Sequence, residues 1–203
     1  MTTRDVGIGR VLVASLHQAI ADLLPTRLGF YESWLNAEGL REGTIGLAPL
    51  YAVLSFLRQE SGAYDTITAR AGEYAADWIV QSMSPMQRSA INAAPLWLRV
   101  RLMLRLARHL VRSSYQGSSI VSKVKGGTAR IDVRSSVFCT VREPVGQPLC
   151  GFYAAAFTRL VALFNVGTRA EVVTCRGTGA PACVLSFVVA TGATRGGADV
   201  EAA

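Results

Sequence analysis

An α+β fold is predicted, with N-terminal helices packed on a C-terminal antiparallel sheet built in the order strand, strand, helix, strand, strand. Three observations predict it. Apolar residues recur at helical spacing through the first 118 residues. The pattern then changes to alternation on both sides of Gly126-Gly127, the mark of a tight hairpin. Last, a further helical run separates that hairpin from two β-branched segments that flank a Gly/Pro-rich turn.

Each element follows from the residues in order. Residues 8–24 place Ile8, Val11, Leu12, Leu16, Ala19, Ile20, Leu23 and Leu24 on one stripe, which Pro25 ends. A shorter helix is expected over 26–36, and Gly39, Gly43 and Gly46 then mark a loop. Residues 47–58 are apolar enough to be buried. Residues 63–83 carry Tyr64, Ile67, Ala71, Tyr74, Ala75, Trp78 and Ile79 at helical spacing. Ser84-Pro85 is a helix start, with serine as N-cap and proline at the first helical position. Another helix spans 95–114. Strands are expected over 119–124 and 129–133, with 137–141 as a third extended segment. Pro148 opens a helix, and the last strands cover 170–175 and 183–190. The organisation is therefore a helical part, 1–118, an αβ part, 119–190, that packs with it as one domain, and a flexible tail, 191–203.

Composition narrows the function classes. The 203 residues are 50% hydrophobic and 17% charged, with a mean hydropathy of +0.30, which supports a substantial core and excludes a disordered chain. No run of about 18 uncharged apolar residues is present, so no membrane span is expected. The N-terminus lacks the features of a signal peptide, which makes the cytoplasm the expected compartment and reduced thiols the expected state. Net charge is +7, but no nucleic-acid motif accompanies it, and no nucleic-acid partner is expected.

Four cysteines, Cys139, Cys150, Cys175 and Cys183, all lie in the last third of the chain. Cys175 and Cys183 flank Arg-Gly-Thr-Gly-Ala-Pro-Ala, so a hairpin brings two thiols within reach of one metal ion, and Cys150 can supply a third. The plain alternative is four small buried hydrophobes. Both histidines, His17 and His109, lie upstream of the cysteines, so no histidine base is available in their part of the sequence for a catalytic cysteine, and no catalytic residue is assigned.

The runs Ser135-Ser136-Val137-Phe138-Cys139, Gln147-Pro148-Leu149-Cys150-Gly151-Phe152-Tyr153 and Cys175-Arg176-Gly177-Thr178-Gly179-Ala180-Pro181-Ala182-Cys183 resemble the 4-vinyl-reductase domain. That domain is related in fold to the Bet3 subunits of the TRAPP vesicle-tethering complex. Upstream, Ala71-Gly72-Glu73-Tyr74-Ala75-Ala76-Asp77-Trp78-Ile79 and Ser113-Ser114-Tyr115-Gln116-Gly117-Ser118 resemble its bacteriochlorophyll-biosynthesis branch. The resemblance implies a Bet3-like module holding a hydrophobic or aromatic ligand in a pocket between helices and sheet. In the aromatic-sensing members three cysteines and a glutamate bind zinc, and Cys150, Cys175 and Cys183 fall on the cysteine positions. The glutamate position is held by Val172, with Glu171 one residue earlier, where a strand turns the side chain to the opposite face. Cys139, Glu171 and Glu143 are the candidates for the fourth ligand of a structural zinc.

Arg101, Arg105, Arg108 and Arg112 share one helix face, either as a solvated surface or as a contact for a ligand carboxylate or a membrane surface. With Trp78 and Tyr74 they are the candidate ligand-binding residues. His17 and His109 are more ordinary as structural residues than as ligands to a pigment magnesium. Gly7-Ile8-Gly9-Arg10 is no dinucleotide fingerprint, since no strand precedes it and its third glycine is absent. Binding is therefore expected rather than catalysis. The expected function is a non-enzymatic carrier or assembly factor for a (bacterio)chlorophyll precursor such as divinyl protochlorophyllide or chlorophyllide. The alternatives are a 4-vinyl reductase using an external electron donor and a sensing module for an aromatic or fatty molecule. A homodimer formed through the first helix, and contacts with other pigment-biosynthesis enzymes, are the expected partnerships.

Overall fold

The computed structural model describes residues 7–35, 39, 46–60, 62–166 and 169–189. The predicted tail, 191–203, lies outside them.

The chain begins with α1 (Arg10–Leu23), whose Leu12, Val13, Leu16, Ala19 and Ile20 are buried. Most of the first-helix stripe therefore faces its own core. Leu23, at 43% exposure, is left outside it. The helix expected over 26–36 is shorter than its pattern suggests. A 3-10 turn, Pro25–Arg27, leads into α2 (Leu28–Glu32), which is little more than one turn long. Then come α3 (Leu47–Gln59), α4 (Ala63–Gln81), α5 (Pro85–Ala93) and α6 (Leu96–Ser114).

Ser84 and Gln87 form a reciprocal cap on α5. The Gln87 N–H donates to Ser84 Oγ at 3.2 Å and the Ser84 N–H donates to Gln87 Oε1 at 3.0 Å. Replacing Ser84 by Ala is expected to cost about 1 kcal/mol, read as a melting-point fall of about 2–4 °C in calorimetry. An unchanged midpoint would show that α5 is held by packing alone.

The sheet has the order β1-β2-β4-β3, with every neighbouring pair antiparallel: β1 (Ser119–Lys125), β2 (Thr128–Arg134), β3 (Glu171–Thr174) and β4 (Cys183–Val188). Gly126 and Gly127, at φ 55° and 72°, make the tight turn that sets Lys125 opposite Thr128. Along β2, Ala129, Ile131 and Val133 are buried while Thr128, Arg130 and Arg134 are exposed, so one face of the sheet is covered. The cover includes α6 and α7 (Gly151–Leu163): Met103, Ala107, Phe157 and Leu160 meet Ile131 and Phe187 around only about 150 Å³ of unfilled space.

Helices α4 and α7 pack backbone to backbone at Gly72. A Cβ at Gly72 would stand 2.2 Å from the Phe152 carbonyl oxygen and 3.0 Å from the Ala156 nitrogen. Glycine is required there because the two backbones touch.

The sequence expectation for 137–141 does not hold. Ser135 sits in the left-handed region at φ 55° and ends β2, and Val137–Cys139 then wind into a 3-10 turn. The helix expected from Pro148 starts later, at Gly151, because Leu149 is already engaged. Its N–H donates to Cys175 Sγ at 3.3 Å, and its carbonyl accepts from the Tyr64 hydroxyl at 3.0 Å. No helix of the described residues is long and apolar enough to cross a membrane.

Candidate metal centre and groove

The two departures from the expected backbone have one result: they bring four sulfurs together. The 3-10 turn presents Cys139. Cys150 is the residue before α7, Cys175 precedes the 3-10 turn Arg176–Thr178, and Cys183 opens β4. Cys139 Sγ lies 3.2 Å from Cys150 Sγ, 3.4 Å from Cys175 Sγ and 3.5 Å from Cys183 Sγ. Cys150 and Cys175 are 3.4 Å apart, and all four ligand atoms fall within 4.8 Å of one another. Four sulfurs held about 2.3 Å from a tetrahedral zinc would be separated by about 3.8 Å, so the set fits such an ion with small adjustments.

The surroundings also suit thiolates. Cys150, Cys175 and Cys183 are buried and Cys139 is partly exposed. Backbone N–H groups of Leu149 and Arg176 donate to Cys175 Sγ and Cys183 Sγ at 3.3 and 3.4 Å. The N-terminus of α7 begins at Cys150 and adds a favourable dipole for negative charge. Contacts with Cys139 and then Cys150 push the Cys175 and Cys183 thiols below their ordinary range. Cys150 is pushed up by its contact with Cys139. Cys139 is raised on balance: Cys150 pulls it down, while Cys175, Cys183 and burial push it up. The four thiols titrate as one coupled set, and a bound cation would displace their protons.

Cys139 is the fourth sulfur of the cluster. Glu171 does not approach the sulfurs; it is exposed on β3 and lines a groove on the far side of α7, and Glu143 is exposed in the loop before Cys150. The one-residue offset of Glu171 had already put it on the wrong strand face.

That groove measures about 830 Å³, within the range of about 300–1,000 Å³ usual for small-molecule sites. Ala69 of α4 and Ala154, Ala155, Thr158 and Ala162 of α7 line it, together with Arg159 and Arg169. Arg159 is held by Asp77 at 2.8 Å, whereas Arg169 has no ion pair among the described residues. Sequence reading did not find these groove residues. The signal was present in α7, where Ala154, Ala155, Thr158 and Ala162 repeat a small face opposite the aromatic one.

No family model matches the chain, and no curated protein sequence does. Among solved structures it is similar to the Fe(II) unliganded H-NOX protein from K. algicida, at 14% identity and a TM-score of 0.56, over 91% of this chain and 97% of that one. A point mutant of the same H-NOX protein aligns at TM-score 0.58 and 14% identity, covering 91% and 98%. The phenol-responsive sensory domain of the transcription activator PoxR, solved with phenol, aligns at 17% identity and TM-score 0.47, covering 70% and 74%. At these identities the H-NOX likeness is one of fold: an α+β chain with its helices first and its sheet last.

The remaining predicted ligand residues are dispersed. Arg101, Arg105, Arg108 and Arg112 are exposed along α6 and do not line the groove. Tyr74 and Trp78 stack on each other at 5.8 Å, half-buried on α4, where the Tyr74 hydroxyl donates to Asp22 and Arg70 covers its ring. His17 pairs with Glu32 at 3.0 Å and His109 is exposed. The interior position implied by the family resemblance, between helices and sheet, is filled by Phe157, Leu160 and Phe187, and its 150 Å³ is too small for a tetrapyrrole.

Proposed function

We propose that the chain is a non-enzymatic binding protein whose structural zinc, held by Cys139, Cys150, Cys175 and Cys183, locks the α7 end to the sheet. The convergence of four sulfurs from four separate elements carries this reading. Zinc there supplies a fixed four-cornered bond, with no open corner for substrate. The resemblance to the 4-vinyl-reductase domain supports a hydrophobic ligand, and a (bacterio)chlorophyll precursor is the ligand class it favours.

The groove between α4 and α7 suits such a molecule better than the filled interior does. Its alanine floor can lie against a flat macrocycle, and Arg169 stands at the rim without a carboxylate partner, available to a propionate. Fluorescence titration with chlorophyllide and with its esterified form tests this. The free acid is expected to bind at least about tenfold tighter, and Arg169→Ala to abolish that difference while leaving the ester unchanged. Equal affinities for acid and ester would remove Arg169 from recognition. Absence of binding by either would end the pigment reading and leave the metal centre standing.

A further inference from the structure

Helix α6 buries one face completely: Val100, Met103, Ala107, Leu110 and Val111 are at most 4% exposed. The opposite face carries Trp97, Arg101, Arg105, Arg108 and Arg112. At 100° per residue these five positions fall within an arc of roughly 80°, and the four arginines span about 16 Å of helix. All five are exposed, Trp97 by 62%. The Arg101 guanidinium lies 5.4 Å from the Trp97 ring centroid. None of the four arginines is ion-paired among the described residues. A solvated helix face ordinarily interleaves both signs of charge, with acids placed to pair with the bases. This one has no acid between Leu96 and Ser114, and the chain as a whole carries a net charge of +7.

We propose that this stripe docks the protein peripherally on an anionic lipid bilayer. The charge has to be met from outside the chain, and the geometry selects the partner. The five side chains lie along one exposed helix face, outside the pockets of the described residues. Trp97 heads the stripe, and tryptophan prefers the headgroup level, where its ring meets acyl chains and its N–H stays wet. Guanidinium groups beside it pair with phosphates bidentately. Duplex DNA is the competing polyanion, since arginines contact phosphates and guanine edges alike, and the test below includes it as the opposing outcome. Docking would be superficial, since no described helix can span a bilayer.

The test uses the full chain without ligand, so it does not depend on the groove. Co-sedimentation is measured with vesicles of phosphatidylcholine alone and of equal parts phosphatidylcholine and phosphatidylglycerol. Binding is expected only to the mixed vesicles, and it is expected to be lost when salt is raised from about 0.05 to about 0.5 M. Each arginine changed to glutamine is expected to weaken it about fivefold, and the fourfold variant by more than about a hundredfold. Trp97→Phe is expected to abolish most of the blue shift in tryptophan emission on vesicle addition. These positions are exposed, and an unchanged circular dichroism melt verifies that each variant is folded. Equal binding to neutral vesicles, undiminished binding by the fourfold variant, or tighter binding to a DNA duplex than to the mixed vesicles at the same salt would each overturn the proposal.

Discussion

Protein purified without chelator is expected to carry about one zinc per chain, and Cys175→Ser is expected to remove most of it. Cys175 is the test position because its sulfur contacts those of Cys139 and Cys150 and also accepts the Leu149 N–H. A serine hydroxyl keeps the size but is not a thiolate, so the corner is lost. Three sulfurs, two of them buried, are then left crowded without a cation between them. Structural zinc sites contribute directly to folding, and the expected loss is about 4 kcal/mol, a melting-point fall of about 10 °C for a chain of this size. A strong chelator should reproduce that shift in the wild-type protein and leave the variant unmoved. Cys139→Ser should behave like Cys175→Ser, whereas Glu171→Gln should retain full metal content, because Glu171 faces the groove. Elemental analysis that finds no metal in fresh protein, together with a chelator that leaves the melt unchanged, would reduce the cluster to four buried thiols.

Gly72→Ala is expected to destabilise the protein by about 3 kcal/mol. Two effects oppose each other here. Alanine is a better helix former than glycine by about 1 kcal/mol, which favours the variant. The new methyl, however, would stand 2.2 Å from the Phe152 carbonyl oxygen, a backbone atom that cannot rotate away. Helices α4 and α7 must separate, and the packing of Phe152 and Ala156, both fully buried, is loosened with them. The clash outweighs the propensity gain. Gly29→Ala in α2 is the control, because a Cβ there meets nothing within 4 Å. Urea denaturation should show a lower midpoint for the first variant and an unchanged or slightly higher one for the second. Equal midpoints would mean that the crossing has room for a methyl group.

Much of the fold was legible because its signals are local. Helical periodicity marked α1, α4 and α6, Ser84-Pro85 marked the start of α5, and Gly126-Gly127 between alternating runs marked the first hairpin. Errors arose where a long-range contact decides the local conformation. Residues 137–141 have strand-like composition, yet Ser135 at φ 55° turns the chain so that Cys139 meets the other sulfurs. The start of α7 was set too early because Leu149 is held by Tyr64 and Cys175, partners 85 and 26 residues away. The spacing of Cys150, Cys175 and Cys183 pointed to three of the four sulfurs, whereas Cys139 is brought to them by the 3-10 turn that replaces the expected extended segment. The arginine stripe was legible as a face, while its separation from the groove was not, since periodicity says nothing about which helices are neighbours.

The four cysteines lie far apart along the chain, with steps of 11 and 25 residues from Cys139 to Cys150 and from Cys150 to Cys175. An unfolded chain therefore offers no ready chelate of all four sulfurs. The complete set exists only after β4 has paired with β2, with Cys183 opposite Val133, and after α7 has docked. Capture of the proposed zinc would then need a nearly finished fold, and mass action would tie the folded population to the free zinc concentration. In a cell short of zinc, more of this chain would spend time open to proteases, and its steady-state abundance would fall without any change in synthesis. The proposed zinc centre would thus also make the amount of protein a record of metal supply.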